Sequence, residues 1–158
     1  MIETEFSLKP IGVIRSELVS REEAPNQGSE GGLDAWLEVG SAFSEGLEGI
    51  GLGDDVILIT WFHKAHRSLL KVHPRRDANR PLTGVFATRS PSRPNALGLS
   101  VVKLVEITGK TLIIEDLDIV DGTPLLDIKP YLPDFQDQSS IKLGWIEPHK
   151  EKFYENIK

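Results

Sequence analysis

Residues 84–133 hold two stiff, charged turns joined by a long apolar stretch. The first turn is Arg89-Ser90-Pro91-Ser92-Arg93-Pro94-Asn95. Each proline fixes its own φ and drives the residue before it, Ser90 or Arg93, toward extended geometry. A stiff loop lowers the entropy cost of fixing an arginine on a ligand. The guanidinium fork matches a carboxylate or a phosphate. The plainer alternative is a turn with solvated arginines. The second turn is Asp118-Ile119-Val120-Asp121-Gly122-Thr123-Pro124. A carboxylate at a strand end can bind a ribose hydroxyl or a cation, or accept a proton. Asp121 precedes a glycine, so it can equally cap its own turn by accepting backbone N–H groups. Two such turns are what a site for a charged small molecule needs.

Three histidines, His63, His66 and His73, fall within eleven residues. Zinc would need a nearby Asp or Glu, or a third well-placed histidine. The only nearby carboxylate is Asp77, so no metal is expected. His63 ends an apolar run, where it serves as an orienting or hydrogen-bonding group or as a plain structural residue. Gly49-Ile50-Gly51-Leu52-Gly53 precedes a strand, whereas the dinucleotide fingerprint places its glycines after one. A turn into the strand accounts for these glycines better than a phosphate cradle.

Charge is unevenly spread. The chain carries −6 overall, yet residues 64–93 hold eight Lys or Arg and one acid, a local charge of +7. A basic island on an acidic protein is a candidate phosphate-contacting face. Arg67, Lys71, Arg75, Arg76, Arg80 and Arg93 are its candidate phosphate contacts. The alternative is a solvated loop with incidental charge.

These groups must be positioned by short strands. Ile11–Arg15, Ala35–Val39, Val56–Phe62, Gly84–Thr88, Leu99–Ile107, Thr111–Leu117 and Leu125–Ile128 all read as β-type runs between Gly or Pro turns. Thr108-Gly109-Lys110 reads as a tight hairpin connection. Ser41–Glu48 fits two helical turns with Ser41 as N-cap. Residues 148–157 fit a short terminal helix. Residues 64–82 and 20–32 read as long loops, which in compact domains are usually functional or mobile. The expected fold is all-β: a small antiparallel β-barrel with long loops and one or two short helices, although a sandwich fits the same pattern.

At 158 residues the chain is expected to be one domain, residues 1–158. It has no cysteine, which removes disulfides, thiolate zinc sites and a cysteine nucleophile. The N-terminus MIETEFSLKP lacks the apolar core of an export signal, and no run approaches the ~18 apolar residues of a membrane span. A cytoplasmic protein fits this composition.

GVFATRSPSRPNALGLS, DLDIVDGTPLLDIKPYLP and IGVIRS together resemble the TsaA-like, or TrmO, family, from about Ile11 to about Pro133. Its members are S-adenosylmethionine-dependent tRNA methyltransferases. The resemblance implies a small β-barrel and a homodimer whose active site is partly lined by the partner subunit. It implies N6-methylation of N6-threonylcarbamoyladenosine, the base 3′ of the anticodon in threonine tRNAs. Many bacterial members carry a further C-terminal domain, expected to be absent here. By matching positions, Pro25, Asn26, Gln27, His63, Lys64, Arg89, Leu99, Asp118, Ile119, Val120 and Asp121 would bind the cofactor. Asn26 stands where many bacterial members have Arg, and Lys64 where the family has Gln. Asp121 or His63 would accept the proton lost on methylation. The basic island would contact anticodon-loop phosphates. A non-catalytic S-adenosylmethionine- or RNA-binding module and a histidine-based metallohydrolase are the other readings.

Overall fold

The structure, a computed structural model, describes residues 6–20, 33–65 and 68–132. Alternation is plainest in β3 (Asp55–Trp61), where Val56, Leu58 and Thr60 are buried and the residues between them face outward. This period of two folds the strand with one face toward a core and one toward solvent. The same logic puts Ala35, Leu37 and Val39 of β2 (Leu33–Val39) inside. It also buries Leu112 and Ile114 of β7 (Thr111–Leu117). With β1 (Gly12–Arg15), β6 (Leu97–Thr108) and β8 (Thr123–Pro130), these strands close into a barrel ordered β1-β2-β7-β6-β3-β8. Every neighbouring pair is antiparallel. The fold is therefore the small all-β barrel expected from the strand pattern.

β6 joins the two halves of this barrel. Residues 97–103 pair with β3, and Leu104 onward pairs with β7, with a register shift between Leu104 and Glu106. Such an irregularity bends a strand and increases its twist, which closure needs. Gly98 permits close packing inside: a Cβ there would lie 2.3 Å from Thr60 Oγ1 and 2.5 Å from Phe62 Cζ. The hairpin of β6 and β7 turns through Gly109 and Lys110, with Gly109 at φ 61°.

Two local expectations change. Gly84–Thr88 is not one strand. Thr83–Gly84 (β5) pairs with Lys71–Val72 (β4), and Val85–Ala87 forms a 3-10 turn. Buried Val85 anchors that turn, and the Thr88 backbone and hydroxyl both donate to its carbonyl, at 3.1 and 2.9 Å. Ser41–Leu47 is a 3-10 helix capped by Gly40, with no side-chain cap bond from Ser41. Residues 148–157 lie outside the described residues. Among the described residues, no helix is long and apolar enough to cross a membrane.

Candidate active site

Strand pairing gathers the chemically interesting loops at one rim. Arg15 pairs with Trp36, Ile14 with Thr123, Leu117 with Leu33, and Trp61 with Leu97. β1, β3 and β7 therefore end, and β2, β6 and β8 begin, at the same edge of the barrel. The loops following Arg15, Trp61 and Leu117 all emerge there. The Gly49–Gly53 turn sits at the opposite rim. There the Gly51 N–H donates to Asp54 Oδ2 at 2.8 Å, and Gly53 N–H donates to the Leu104 carbonyl. Those glycines shape a turn away from the candidate site.

At the rim that gathers these loops, the acidic turn is bound to the end of β1. Asp121 N–H donates to the Leu18 carbonyl at 2.8 Å, and Gly122 N–H donates to the Ile14 carbonyl at 2.9 Å. Gly122 takes φ 76°, a left-handed conformation that favours glycine. Asp121 Oδ1 accepts the Ser16 N–H at 3.2 Å, and its Oδ2 lies 3.9 Å from Arg15 Nη1. The backbone N–H that this carboxylate accepts lies 105 residues away in sequence, just after β1. The Ile119 side chain is buried in the core, so only its backbone is available to a ligand. Its carbonyl accepts the Ser16 hydroxyl at 2.7 Å, and the Val120 carbonyl accepts the Thr123 hydroxyl at 2.6 Å.

His63 follows β3 on the same rim. Partial burial holds its pKa below the usual 6.5, the Lys64 cation adds to that, and the Asp121 carboxylate opposes it. The imidazole is thereby neutral at neutral pH, the form that can accept a proton. Lys64 reaches across the rim, donating from Nζ to the Val19 carbonyl at 3.1 Å.

The Arg-Ser-Pro-Ser-Arg turn borders this group through the start of β6, where the Phe62 N–H donates to the Ala96 carbonyl. Its two arginines differ. Arg93 Nε donates to the Ser90 carbonyl at 2.8 Å, and Nη2 donates to the Val85 carbonyl at 2.9 Å and to the Thr88 carbonyl. Arg89 is exposed. Leu99 is not on the rim loops. It faces outward from β6, about half exposed, opposite Ile59.

The basic loop is also ordered from within. His73 Nδ1 donates to the Arg80 carbonyl at 2.7 Å, and Asp77 accepts from Asn79 N–H and Arg80 Nε. These contacts, the Asn79 backbone bond first, hold the Asp77 pKa below the usual carboxylate range. Arg75 and Arg76 both take left-handed backbone conformations, φ 56° and 59°. Consecutive left-handed non-glycine residues carry a cost that persists where surrounding structure imposes it. Lys71 is exposed on β4. Pro25, Asn26, Gln27, His66 and Arg67 lie outside the described residues. Among the described residues, no group of three or more His, Asp or Glu is placed to hold a metal ion.

The sequence reading assigned nothing to Arg15 and Ser16, although they close the IGVIRS string. A polar pair at the end of a strand was the available signal; its partners in the acidic turn, a hundred residues away, were not.

Fold and rim together define a class: a small closed antiparallel barrel whose polar and charged groups gather in loops at one end. Residues 13–137 match the family model of the tRNA-methyltransferase O N-terminal domain, and the chain belongs to that family. A probable S-adenosyl-L-methionine-binding protein of Pyrococcus abyssi is 45% identical over 145 residues, covering 91% of this chain and 78% of the relative. Another of that description, from Methanothermobacter thermautotrophicus, is 37% identical over 134 residues, covering 85% and 96%. The crystal structure of TrmO from Pseudomonas aeruginosa superimposes with a TM-score of 0.74 at 34% identity, covering 89% of this chain. This chain spans only 62% of that one.

Proposed function

We propose that this protein is an S-adenosylmethionine-dependent tRNA methyltransferase. Its substrate would be the N6 nitrogen of threonylcarbamoyladenosine beside the anticodon. Family membership supports the reaction class. The observation that carries the site is the meeting of the acidic turn, His63-Lys64 and the Arg89 loop at one rim. The relatives described as binding S-adenosylmethionine point to the cofactor, and the rim chemistry fits it. Arg89 offers a cation for a carboxylate, and Asp118 and Asp121 offer acceptors for an amine or a ribose. Leu99 and Ile59 offer an apolar wall. Pro25, Asn26 and Gln27 are proposed to complete the binding set.

When bound, S-adenosylmethionine supplies a methyl group on a cationic sulfur that keeps the electron pair of the broken S–C bond. This chain's residues provide position and proton transfer. Attack by N6 makes a new N–C bond, and that nitrogen must lose its proton. His63, held neutral, accepts it at a ring nitrogen. Asp121 is engaged by Ser16 and Arg15, so its part is to fix the turn and stabilise the imidazolium once formed. Lys71, Arg75, Arg76 and Arg80, with Arg67, contact loop phosphates, giving binding that weakens as salt rises. Arg93 contributes by shaping the turn that presents Arg89. The target base lies in a loop already partly unstacked, so the cost of exposing it is small.

The outer face of β3 and β6 supports a homodimer. Trp61 and Ile59 of β3 stand opposite Leu97 and Leu99 of β6, and Val101 extends the stripe. Leu97, Leu99 and Val101 are 40–49% exposed. A second copy covering this face would bring Leu99 into a pocket shared between subunits. A cytoplasmic location follows from a tRNA substrate.

A non-catalytic binding module is the second reading, favoured by how the two archaeal relatives are described. Calorimetry with S-adenosylmethionine, followed by methyl transfer to tRNA, separates the two. Binding with transfer supports the enzyme, and binding without transfer supports the module. Mass spectrometry of tRNA nucleosides from a deletion strain identifies the mark.

A further inference from the structure

We infer that Arg15 and Ser16, at the end of β1, form a positioning pair that sets the acidic turn in its ligand-binding geometry. This rests on the reading of residues 118–121 as a cofactor wall. Ser16 makes three bonds there. Its N–H donates to Asp121 Oδ1 at 3.2 Å, its hydroxyl donates to the Ile119 carbonyl at 2.7 Å, and that hydroxyl accepts the Leu18 N–H at 3.3 Å. Arg15 lies between two carboxylates, with Nε 3.1 Å from Glu38 Oε2 on β2 and Nη1 3.9 Å from Asp121 Oδ2. Both Asp121 oxygens therefore face β1.

Backbone bonds already tie the turn to β1 and the residues after it: Asp121 N–H donates to the Leu18 carbonyl and Gly122 N–H to the Ile14 carbonyl. The buried Ile119 side chain sets its depth, and Gly122 takes a left-handed φ of 76°. Ser16 adds the side-chain link to this backbone frame, because its hydroxyl bridges the Ile119 carbonyl and the Leu18 N–H. The Arg15–Asp121 pair is about half exposed on both sides, so its Coulombic contribution is small. Its effect is on where the carboxylate points and how strongly that carboxylate acts on His63. The charged groups around that imidazole are Lys64 and Asp121, with Arg15 beside Asp121 and Glu38 beside Arg15.

Three variants of the whole chain test this: Ser16→Ala, Ser16→Thr and Arg15→Met. Calorimetry with S-adenosylmethionine gives affinity, thermal melting gives stability, and proton NMR follows the His63 titration, assigned with His63→Gln. Ser16→Ala is expected to weaken cofactor binding roughly 3- to 10-fold, the loss of one hydrogen bond. Ser16→Thr, which keeps a hydroxyl, is expected to restore most of it. Arg15→Met is expected to move the His63 midpoint upward, because the Asp121 carboxylate then acts on it uncompensated. A purely structural role for Arg15 leaves that midpoint in place. Equal cofactor affinity for Ser16→Ala and wild type, with an unmoved His63 midpoint in Arg15→Met, overturns the inference. Should wild type bind no S-adenosylmethionine, the cofactor reading fails, and the His63 midpoint alone decides the positioning role. Should Ser16→Ala not fold, Ser16→Thr and Arg15→Met decide it.

Discussion

Arg93 holds the carbonyls of Thr88 and Ser90, the two residues on either side of Arg89. A third bond from the same guanidinium reaches Val85 at 2.9 Å. One arginine thus works inside the loop so that its neighbour is presented outside it. Arginine suits this role because its donors are arranged in a rigid fork, whereas a lysine ammonium is a single flexible point charge.

The two arginines should therefore fail differently. Arg93→Lys is expected to destabilise the fold by about 1–3 kcal/mol, through carbonyls left without donors. Arg89→Ala is expected to stay within about 0.5 kcal/mol of wild type in stability, as a surface change. Yet it should bind S-adenosylmethionine at least ~10-fold more weakly, as loss of a charge-assisted bond implies. Urea unfolding and calorimetry on both variants check this.

Gly98 is held to its identity by space. A methyl group at that position would press on Thr60 Oγ1 and Phe62 inside the barrel. Gly98→Ala should cost about 1–3 kcal/mol in urea unfolding, the usual range for overpacking. Phe62 precedes His63, so the same variant should also disturb the His63 resonance.

The pH dependence follows from His63. Its folded pKa lies below the usual 6.5, mainly through burial. Between the folded and unfolded values, the unfolded chain holds more protons. The His63 contribution to stability is therefore fully present above about 6.5 and lost as pH falls toward the folded value, below which it levels off. Denaturation of wild type and His63→Gln across pH 5–7.5 isolates it as the difference between the two curves. Methyl transfer should decline over the same window as His63 takes up a proton.

The outer apolar stripe predicts an interface. Val101 is 45% exposed on that face and away from the rim loops. Val101→Glu should leave the barrel folded and convert a dimer to a monomer in size-exclusion chromatography with light scattering. A wild-type monomer at micromolar concentration contradicts the dimer.

Much of this architecture was legible in local pattern. β3 and β7 announce themselves by apolar, β-branched runs between turn signals, and the two-residue turn at Gly109-Lys110 follows from hairpin chemistry. The ring order was not legible, because β6 serves two neighbours through a bulge that no local signal marks. Gly84–Thr88 looks like a strand by composition. It becomes a turn in which Thr88 and Arg93 both donate to the Val85 carbonyl that a sheet would have used. At the site, the charged turns were visible as motifs. The roles within them depend on bonds that sequence spacing hides: Ser16 with Asp121, Lys64 with Val19, and Arg93 with its own loop.

In the proposed reaction this rim transfers a methyl group, with His63 as proton acceptor. Single-turnover transfer from radiolabelled S-adenosylmethionine to tRNA, by wild type and His63→Gln at equal cofactor saturation, tests it most directly. The predicted result is transfer by wild type and a rate roughly 10²- to 10⁴-fold lower for His63→Gln, the usual contribution of a general base. Equal rates for the two proteins contradict the assignment of His63, and no transfer by either contradicts the enzyme itself.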